Sequence, residues 1–354
     1  MSFPKNNNGL LEDLVNEFSD SEIWILFEES CKKEVNLIKN EKIHFLPIST
    51  TFSFLKKAIP LLMGAKVILC DNYFPFLAGL YPRKETKIIQ FWHANGAIKR
   101  FGLEDPTAMK RSNFDQRRFK QVYKRFDEYV VGSEMMGKVF QRSYGAKSNN
   151  IKLLGNPRTD IYFNKEAILE KQKSFFQEFP KLKGRKIILY APTYRNDMEK
   201  EYPLDVRRLY GILGDEYAIL MKKHPHILER PIQNEYKDFF YGNLNHYKIE
   251  DLLVVSDILI TDYSSVPFDF TLLDNAKKII FYCYDLEEYN QTTGVQHDFK
   301  KWIPGEIAYS MDDVIEQLQK DDQYDFSDFN YNWNSHNDGC AKKRLIAYIK
   351  SLNE

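Results

Sequence analysis

Hydrophobic and polar residues alternate in blocks along this 354-residue chain, with short apolar runs separated by longer segments of helical periodicity. The apolar runs are continuous, which is typical of parallel strands that are buried on both faces. The runs that predict strands are residues 23–27, 43–46, 67–70, 88–92, 129–131, 187–190, 218–221, 258–260 and 279–282. Helical patterns fall between them, for example at residues 53–63, 114–126 and 249–255. This alternation predicts an α/β fold of doubly wound sheets.

The alternation breaks between residues 155 and 185, where turn residues flank a charged helical segment. A chain of this length is long for one compact domain and comfortable for two. We therefore predict two α/β domains, at residues 1–155 and 156–330, that face a central cleft. The remaining segment, residues 331–354, contains an amphipathic helix that could cross back to the first domain.

Composition narrows the function classes only slightly. Lysine plus arginine and aspartate plus glutamate number 50 each, so the net charge of zero argues neither for nor against a nucleic acid or membrane partner. No signal-peptide pattern opens the chain, and no run approaches the roughly 18 apolar residues that a spanning helix needs. We expect a soluble or at most peripheral protein, whose scattered cysteines are reduced thiols rather than disulfides or zinc ligands: Cys31, Cys70, Cys283 and Cys340.

The junction after the apolar run at residues 258–260 predicts an anion site. The run ends in Thr261-Asp262, and Ser264 and Ser265 then precede a segment that is predicted to be helical. The first N–H groups of a helix lack partners within the helix, and the helix dipole favours a negative charge beside them. The sequence therefore indicates a phosphorylated ligand at this junction.

Two histidines come directly after predicted strands. His93 comes after residues 87–91, at the carboxyl edge of a sheet, and its pKa near neutrality suits proton abstraction from a hydroxyl; a loop histidine bonded to backbone is the alternative. His224 comes after residues 218–221, and Pro225 holds it extended, so its imidazole could bind phosphate oxygens. The pair His224 and His226 could also suggest a metal, but no carboxylate or third histidine is near in sequence.

Several basic residues are further candidates. Arg195 comes after a strand and could bind phosphate with two parallel hydrogen bonds. The turn at residues 155–160 could be a structural hinge or could take part directly in catalysis, and Thr159 or Asp160 could cap the next helix. Residues 99–125 carry nine cations against three carboxylates and are interleaved with phenylalanines. This segment could bind an anionic lipid or a pyrophosphate, or could be a solvated helix face with a phenylalanine stripe in the core.

Taken together, these segments resemble the CDP-glycerol glycerophosphotransferase family of wall teichoic acid synthesis. The resemblance covers roughly residues 60–310, and the form Trp92-His93-Ala94-Asn95-Gly96-Ala97, like the compact length, is nearer the primase branch than the polymerases. The segments that carry it are residues 92–102, 155–160, 188–195, 223–225, 260–265, 281–289 and 304–305.

The resemblance implies a GT-B-like fold, with an acceptor-binding first domain and a CDP-glycerol-binding second domain. It implies transfer of glycerol phosphate from CDP-glycerol to an undecaprenyl-diphosphate-linked disaccharide, with release of CMP. The enzyme would act in the cytoplasm, associated peripherally with the inner face of the cell membrane, and would have no nucleic acid partner. A teichoic acid polymerase, a GT-B sugar-nucleotide transferase or epimerase, and a non-enzymatic membrane-binding module stay open as alternatives.

The resemblance also implies site residues. His93 would act as the general base, and His224 would be the second catalytic residue. No cofactor is implied firmly, although Asp262 and Asp269 could ligate Mg²⁺. The expected substrate-binding residues are Asn95, Arg158, Thr193, Arg195, Pro225, Asp262, Ser264 and Ser265, and the expected lipid-facing residues are Lys110, Arg111, Arg117 and Arg118.

Overall fold

The chain divides into two compact units. The computed structural model of the protein describes residues 1–3, 7–193, 203–222 and 234–352. Unit 1 comprises residues 1–96, 100–161 and 332–354, and unit 2 comprises residues 97–99 and 162–331. Unit 1 is therefore built from three separate stretches of sequence, whereas unit 2 is almost continuous.

Unit 1 contains parallel strands in two sheets. One sheet pairs the first two strands, and the other has the order β3-β4-β5-β6. Because all neighbours in the larger sheet are parallel, the carboxyl ends of its strands lie along one edge. The strands are β1 (Ile23–Phe27), β2 (Ile43–Pro47), β3 (Val67–Cys70), β4 (Lys87–Gln90), β5 (Glu128–Val130) and β6 (Ile151–Lys152).

The helices of unit 1 begin and end at residues whose chemistry suits these positions. The Thr51 hydroxyl accepts a hydrogen bond from the backbone N–H of Phe54, and the Ser133 hydroxyl accepts one from that of Met136. The second of these helices ends at Gly145, whose φ of 70° lies in the left-handed region. The helices are α1 (Leu10–Glu17), α2 (Lys32–Val35), α3 (Phe52–Gly64), α4 (Pro106–Met109), α5 (Asn113–Tyr123) and α6 (Glu134–Tyr144).

Unit 2 contains one parallel sheet of six strands among the residues that the structure describes. Its strands are β7 (Lys186–Tyr190), β8 (Tyr217–Met221), β9 (Phe240–Tyr241), β10 (Ile258–Thr261), β11 (Lys278–Tyr282) and β12 (Glu306–Ala308). The order is β12-β11-β10-β7-β8-β9, so the direction of winding reverses between β7 and β10. In open α/β sheets, ligands bind outside the carboxyl ends of the strands at such a reversal.

Helices pack on this sheet to form the core of unit 2. Apolar side chains of β7, β8, β10 and β11 pack with those of two helices, through residues such as Leu209 and Val314. The helices are α7 (Lys165–Glu178), α8 (Val206–Leu213), α9 (Ile249–Leu253), α10 (Val266–Phe270), α11 (Leu286–Thr292), α12 (Phe299–Trp302), α13 (Met311–Gln319) and α14 (Ser327–Trp333). The last of these ends just beyond residue 331, where unit 2 ends.

The final helix, α15 (Ala341–Ser351), belongs to unit 1. Its Leu345 and Ile349 pack with Leu10 and with Ile89 of β4. The carboxylate of Asp160 accepts hydrogen bonds from the backbone N–H groups of Ala341 and Lys342, at 3.0 and 2.9 Å. The prediction that Thr159 or Asp160 caps the next helix is therefore wrong, because Asp160 caps α15.

The next helix along the chain from Asp160 has a different cap. Asn164 caps α7 through a 3.0 Å hydrogen bond from the backbone N–H of Ala167 to its side-chain oxygen. Both residues satisfy N–H groups that have no partner within their helix.

The strand predictions are confirmed at all nine positions, with boundaries that differ by one or two residues. The largest difference is at residues 88–92, where β4 ends at Gln90 because Trp92 adopts a left-handed φ of 61°. Of the other three described strands, β6 lies in the strand-like run at residues 151–154, whereas β9 and β12 were not predicted, because their two and three residues carry too little apolar pattern. Across the described ranges, none of the helices is both long and apolar enough to span a membrane.

Candidate active site

His93 lies just beyond the carboxyl end of β4 in unit 1. Its Nδ1 is 3.1 Å from the backbone oxygen of Asp71, the residue directly after the neighbouring strand β3. A positive φ is rare for a bulky residue, so the preceding Trp92 stores backbone strain of about 1–3 kcal/mol. The surrounding structure must hold Trp92 in this conformation, and the position of the next residue, His93, is fixed as a result.

The hydrogen bond to Asp71 determines the form of the His93 ring. A carbonyl oxygen can only accept, so Nδ1 carries the proton and, in the neutral ring, Nε2 carries the lone pair. The pKa of His93 is lowered to about 4, mainly by burial and to a smaller extent by the charge of Arg158, against the opposing effect of the bond to Asp71. His93 is therefore neutral near pH 7, with Nε2 in the form that accepts a proton.

Aromatic rings surround His93. The ring of Phe3 is stacked on it with centroids 3.9 Å apart, and the ring of Trp92 lies at 4.2 Å. A cavity of about 1140 Å³ in unit 1 includes Phe3 and Asp71 in its lining, together with mainly apolar residues of α1, α3, β1 and β3. Phe3 and Asp71, which both contact the His93 ring, thus also line this cavity.

Asn95 and Arg158 differ in their surroundings. Asn95 is 1% exposed, and its carboxamide bonds to those of Asn334 and Asn337, so the structure gives it a scaffold position within the loop. Arg158 is only partly buried and lies near enough to His93 to affect its pKa. The structure therefore brings Arg158 and His93 together, and contact of either Asn95 or Arg158 with a substrate stays a prediction.

In unit 2, Thr193 and Asp262 meet at the reversal of the sheet. Thr193 lies after β7 and Asp262 lies after β10; the backbone N–H of Thr193 donates to Asp262 Oδ1 at 2.7 Å. The same oxygen accepts the N–H of Tyr263 at 2.6 Å, and Asp262 is only 2% exposed. These bonds join the ends of the two strands between which a doubly wound sheet binds its ligand.

Ser264 and Ser265 are partly exposed beside this junction, but the next helix differs from the one expected. α10 has only five residues. The backbone N–H of Val266 donates to the Ser264 hydroxyl at 3.3 Å, and the backbone N–H of Phe268 donates to the backbone oxygen of Ser265 at 3.2 Å. Pro267 has no N–H. The first N–H groups of this short helix therefore have partners within the turn, and anion binding at the junction stays a prediction. The Ser264 hydroxyl can still donate to an anion.

Tyr263 forms a second part of this region that the sequence did not indicate. Its hydroxyl donates to Asp285 Oδ1 at 2.9 Å, and its ring is stacked on that of Tyr289 at 3.8 Å. Both partners lie after β11, the next strand of the sheet. The signal was present in the segment at residues 281–289, but a buried tyrosine in a turn is not distinguishable by pattern from a core residue.

Other predicted residues are only partly covered by the structure. Arg195, His224 and Pro225 lie outside the described residues. Lys222, the last described residue after β8, donates to the backbone oxygens of Leu244 and Tyr247, at 3.2 and 2.5 Å, so it ties down a neighbouring turn.

The basic segment presents cations and apolar side chains on one part of the surface. Lys110, Arg111 and Arg117 are exposed, and so are Met109 at 59% and Phe114 at 73%. These residues belong to the end of α4, to α5 and to the turn between them. Single exposed apolar side chains are ordinary on proteins, so the combination of Met109 and Phe114 with the neighbouring cations is what distinguishes this surface.

The other phenylalanines and one arginine of this segment face inward. Arg118 is bound to Asp115 at 2.6 Å, the Phe119 ring meets Tyr73 edge-on, and Phe126 is buried. The predicted phenylalanine stripe in the core is seen for Phe119 and Phe126, whereas binding of a lipid or pyrophosphate by this segment stays a prediction. One side of α5 packs in the unit, and the other is a charged surface with exposed apolar side chains.

Mg²⁺ ligation by Asp262 and Asp269 stays a prediction. Oδ1 of Asp262 accepts two backbone hydrogen bonds, and Oδ2 of Asp269 accepts one from the Tyr162 hydroxyl at 3.2 Å. Within the part of the chain that the structure describes, no three histidine, cysteine, aspartate or glutamate side chains cluster as metal ligands would.

The chain is similar to known proteins in sequence over almost its whole length. The model of the CDP-glycerol:poly(glycerophosphate) glycerophosphotransferase family matches residues 3–351. The teichoic acid glycerol-phosphate primase of Bacillus subtilis is 36% identical over 99% of this chain and 91% of its own length. The teichoic acid poly(ribitol-phosphate) polymerase of Bacillus spizizenii is 34% identical, over 80% of this chain but only 46% of its own length.

Solved structures with the same fold include two kinds of enzyme. An H444N variant of the wall teichoic acid polymerase TagF has a TM-score of 0.79 at 21% identity, covering 99% of this chain and 88% of its own. A putative UDP-N-acetylglucosamine 2-epimerase from Listeria monocytogenes has a TM-score of 0.61 at 12% identity, covering 100% and 95%. At these identities the likeness concerns the fold alone, and it confirms the predicted GT-B-like α/β architecture.

Proposed function

Because the chain belongs to the CDP-glycerol:poly(glycerophosphate) glycerophosphotransferase family, we propose that it is a teichoic acid primase. It transfers one glycerol phosphate from CDP-glycerol to a hydroxyl of a disaccharide that is linked to undecaprenyl diphosphate, and it releases CMP. The identity to a primase over 91% of that protein's length supports this choice. The polymerase relative is more distant, at 34% identity over 80% of this chain, which favours the primase over the polymerase.

The geometry of His93 carries the proposal. Its Nε2 lone pair takes the proton of the acceptor hydroxyl, while Nδ1–H stays bonded to the Asp71 oxygen and keeps the ring in this orientation. The acceptor oxygen then forms a bond to the β-phosphorus of CDP-glycerol, and the bond from that phosphorus to the oxygen of CMP breaks. A pKa of about 4 makes the imidazole a weak base, but one that is almost fully deprotonated at pH 7.

Unit 2 binds the diphosphate of CDP-glycerol at the reversal of its sheet. The Ser264 hydroxyl donates to a phosphate oxygen, and Asp262 orients the turn by accepting from the N–H groups of Thr193 and Tyr263. Arg195 and His224 supply the positive charge and further hydrogen-bond donors. Such donors stabilise the charge that develops on the phosphate oxygens during transfer.

The enzyme works at the membrane surface, where a lipid-linked acceptor resides. The exposed cations Lys110, Arg111 and Arg117 attract anionic headgroups, and Met109 and Phe114 insert into the interface. Arg118, bound to Asp115, supports the helix from which these residues project.

Incubation of the purified protein with CDP-glycerol and a lipid-linked disaccharide tests the reaction, with CMP release and product mass as readouts. One added glycerol phosphate is the expected result. A ladder of additions would replace the primase with a polymerase, and preferential use of CDP-ribitol in a parallel reaction would change the donor. The variant His93→Gln should lower kcat by about 10²–10⁴-fold; turnover near normal in the folded variant would remove the base assignment.

Sedimentation with vesicles tests the membrane surface. The protein should bind vesicles that contain anionic lipid more strongly than neutral ones, and binding should weaken as salt is added. Phe114→Ser should reduce this binding. Leu169→Ser removes a similarly exposed apolar side chain from α7 and should leave binding unchanged; equal loss in both variants would refute the assignment of the surface to α5.

A further inference from the structure

Four buried asparagines form one hydrogen-bonded cluster in unit 1. Asn95 lies in the loop that carries His93, and Asn156 lies in the turn after β6; the other two, Asn334 and Asn337, lie after α14. Each is at most 5% exposed. We call these four residues the asparagine cluster. It joins three stretches of sequence that are far apart along the chain.

The bonds of the asparagine cluster hold Asn95 from two sides. Its side-chain nitrogen donates to Asn334 Oδ1 at 2.8 Å, and its side-chain oxygen accepts from Asn337 Nδ2 at 2.7 Å. Asn337 Nδ2 also donates to Asn334 Oδ1 at 2.8 Å. Because the groups are buried, losing any one partner would leave a polar atom without water to replace it.

The asparagine cluster also holds the residue next to His93. Asn156 Nδ2 donates to the backbone oxygen of Ala94 at 2.9 Å, and the backbone N–H of Asn156 donates to Asn337 Oδ1 at 2.8 Å. Residues 94 and 95 are thus fixed on one side of His93. On the other side, Trp92 has a strained backbone that needs such support.

We infer that Asn334 and Asn337 are positioning residues for His93 in the transfer reaction. They do not touch its ring; they set the place of its backbone, while the Asp71 oxygen sets the rotation of its ring. A base must lie within hydrogen-bond reach of the proton it takes, and a displacement of about 1 Å can cost about 10²-fold in rate. This inference rests on the proposed function of His93 as the base.

Kinetics of single variants give the first test. Asn337→Ala removes the donor to Asn95 and the acceptor for Asn156, and it should lower kcat about 10- to 100-fold with little change in the KM for CDP-glycerol. Asn334→Asp keeps an oxygen that accepts from Asn95 and Asn337, so it should retain more activity than Asn334→Ala. The control Tyr348→Phe removes a partly buried hydrogen bond to Glu128 elsewhere in unit 1 and should leave kcat unchanged.

A double-mutant cycle separates positioning from general damage. If Asn337 acts through His93, then adding Asn337→Ala to His93→Gln should lower kcat no further. A second, independent drop would show that the asparagine cluster serves the enzyme in another way and would overturn the inference. The inference would also be overturned if Asn337→Ala and Asn334→Ala keep a normal kcat while circular dichroism shows that they are folded. Should Asn337→Ala not fold, Asn334→Ala and Asn334→Asp carry the cycle with His93→Gln.

Different results would refute the role of His93 as the base and the role of the asparagines as positioning residues. Normal turnover of His93→Gln alone would remove the base and, with it, the proposed positioning. Loss of turnover in His93→Gln together with normal turnover in the asparagine variants would remove only the positioning.

Discussion

Acid should destabilise unit 1 through His93. In the folded protein, burial holds the pKa of His93 at about 4, against an ordinary value of 6.5 that the unfolded chain regains. Between these two pH values the unfolded chain binds a proton that the folded chain does not. Stability therefore increases with pH across this window, is fully present above pH 6.5 and falls as the pH drops toward 4.

The size of this effect can be worked out from the two pKa values. The gap between 6.5 and about 4 corresponds to about 3.4 kcal/mol at about 1.36 kcal/mol per unit of pKa. Most of the titration in the unfolded chain is complete by pH 5, so the free energy of unfolding should fall by about 2 kcal/mol between pH 7 and pH 5. His93→Gln has no such proton to bind and should lose this part of the pH dependence.

Urea unfolding at pH 7, 6 and 5 measures the effect. Three of the four tryptophans, Trp24, Trp92 and Trp333, lie in unit 1, so their fluorescence reports its unfolding. The quantity of interest is the difference between wild type and His93→Gln, since carboxylates contribute equally to both. Identical pH dependence in wild type and His93→Gln would refute the reasoning.

Three further predictions concern individual contacts. Phe3→Ala should hydrate the His93 ring and raise its pKa, so that the acid limb of a kcat/KM profile moves to higher pH; an unmoved limb would mean that Phe3 does not bury the ring. Gly155→Ala would place Cβ 2.3 Å from the backbone oxygen of His336 at a φ of 85°, whereas Gly145→Ala has a positive φ but open space around its Cβ. Urea unfolding should show that Gly155→Ala loses about 1–3 kcal/mol more free energy of unfolding than Gly145→Ala, and equal losses would contradict this. Asp262→Ala leaves the N–H groups of Thr193 and Tyr263 without their acceptor, and the free energy of unfolding should fall by about 1–3 kcal/mol for each. Asp262→Asn keeps Oδ1, so it should lose less stability and have a KM for CDP-glycerol nearer that of the wild type.

The sequence was most informative about the strands and about the residues at their carboxyl ends. Continuous apolar runs predicted the strands of both units, since a strand buried on both faces has no polar side to interrupt the run. The same pattern placed His93 after β4, and Thr193 and Asp262 after β7 and β10. The meeting of Thr193 and Asp262 could not be read from it, because strand order is set by tertiary packing.

Long-range partners of polar residues were not predictable. Asp160 was expected to cap a nearby helix but caps α15, which begins 181 residues later. The asparagine cluster joins positions about 240 residues apart, and nothing in the local pattern around Asn337 distinguishes it from an asparagine in a surface turn. The length of the helix after Ser265 was not predictable either: it has five residues, and Pro267 and two internal hydrogen bonds leave its first turn with fewer N–H donors than expected. The local sequence pattern therefore predicts helices and strands, whereas the long-range partners of polar side chains, which build the site, depend on tertiary structure.

Because unit 1 is completed by the last stretch of the chain, its folding during synthesis on the ribosome must wait until unit 2 has been synthesised. Residues 332–354 complete unit 1, yet they are synthesised only after the 170 residues of 162–331. At about 5–20 residues per second, that interval is roughly 10–30 s. During it, Ile89 and Val130 lack the cover of α15, and Asn95 lacks two of its partners. Unit 2 can thus fold first, while a nascent unit 1 exposes apolar surface of the kind that chaperones bind.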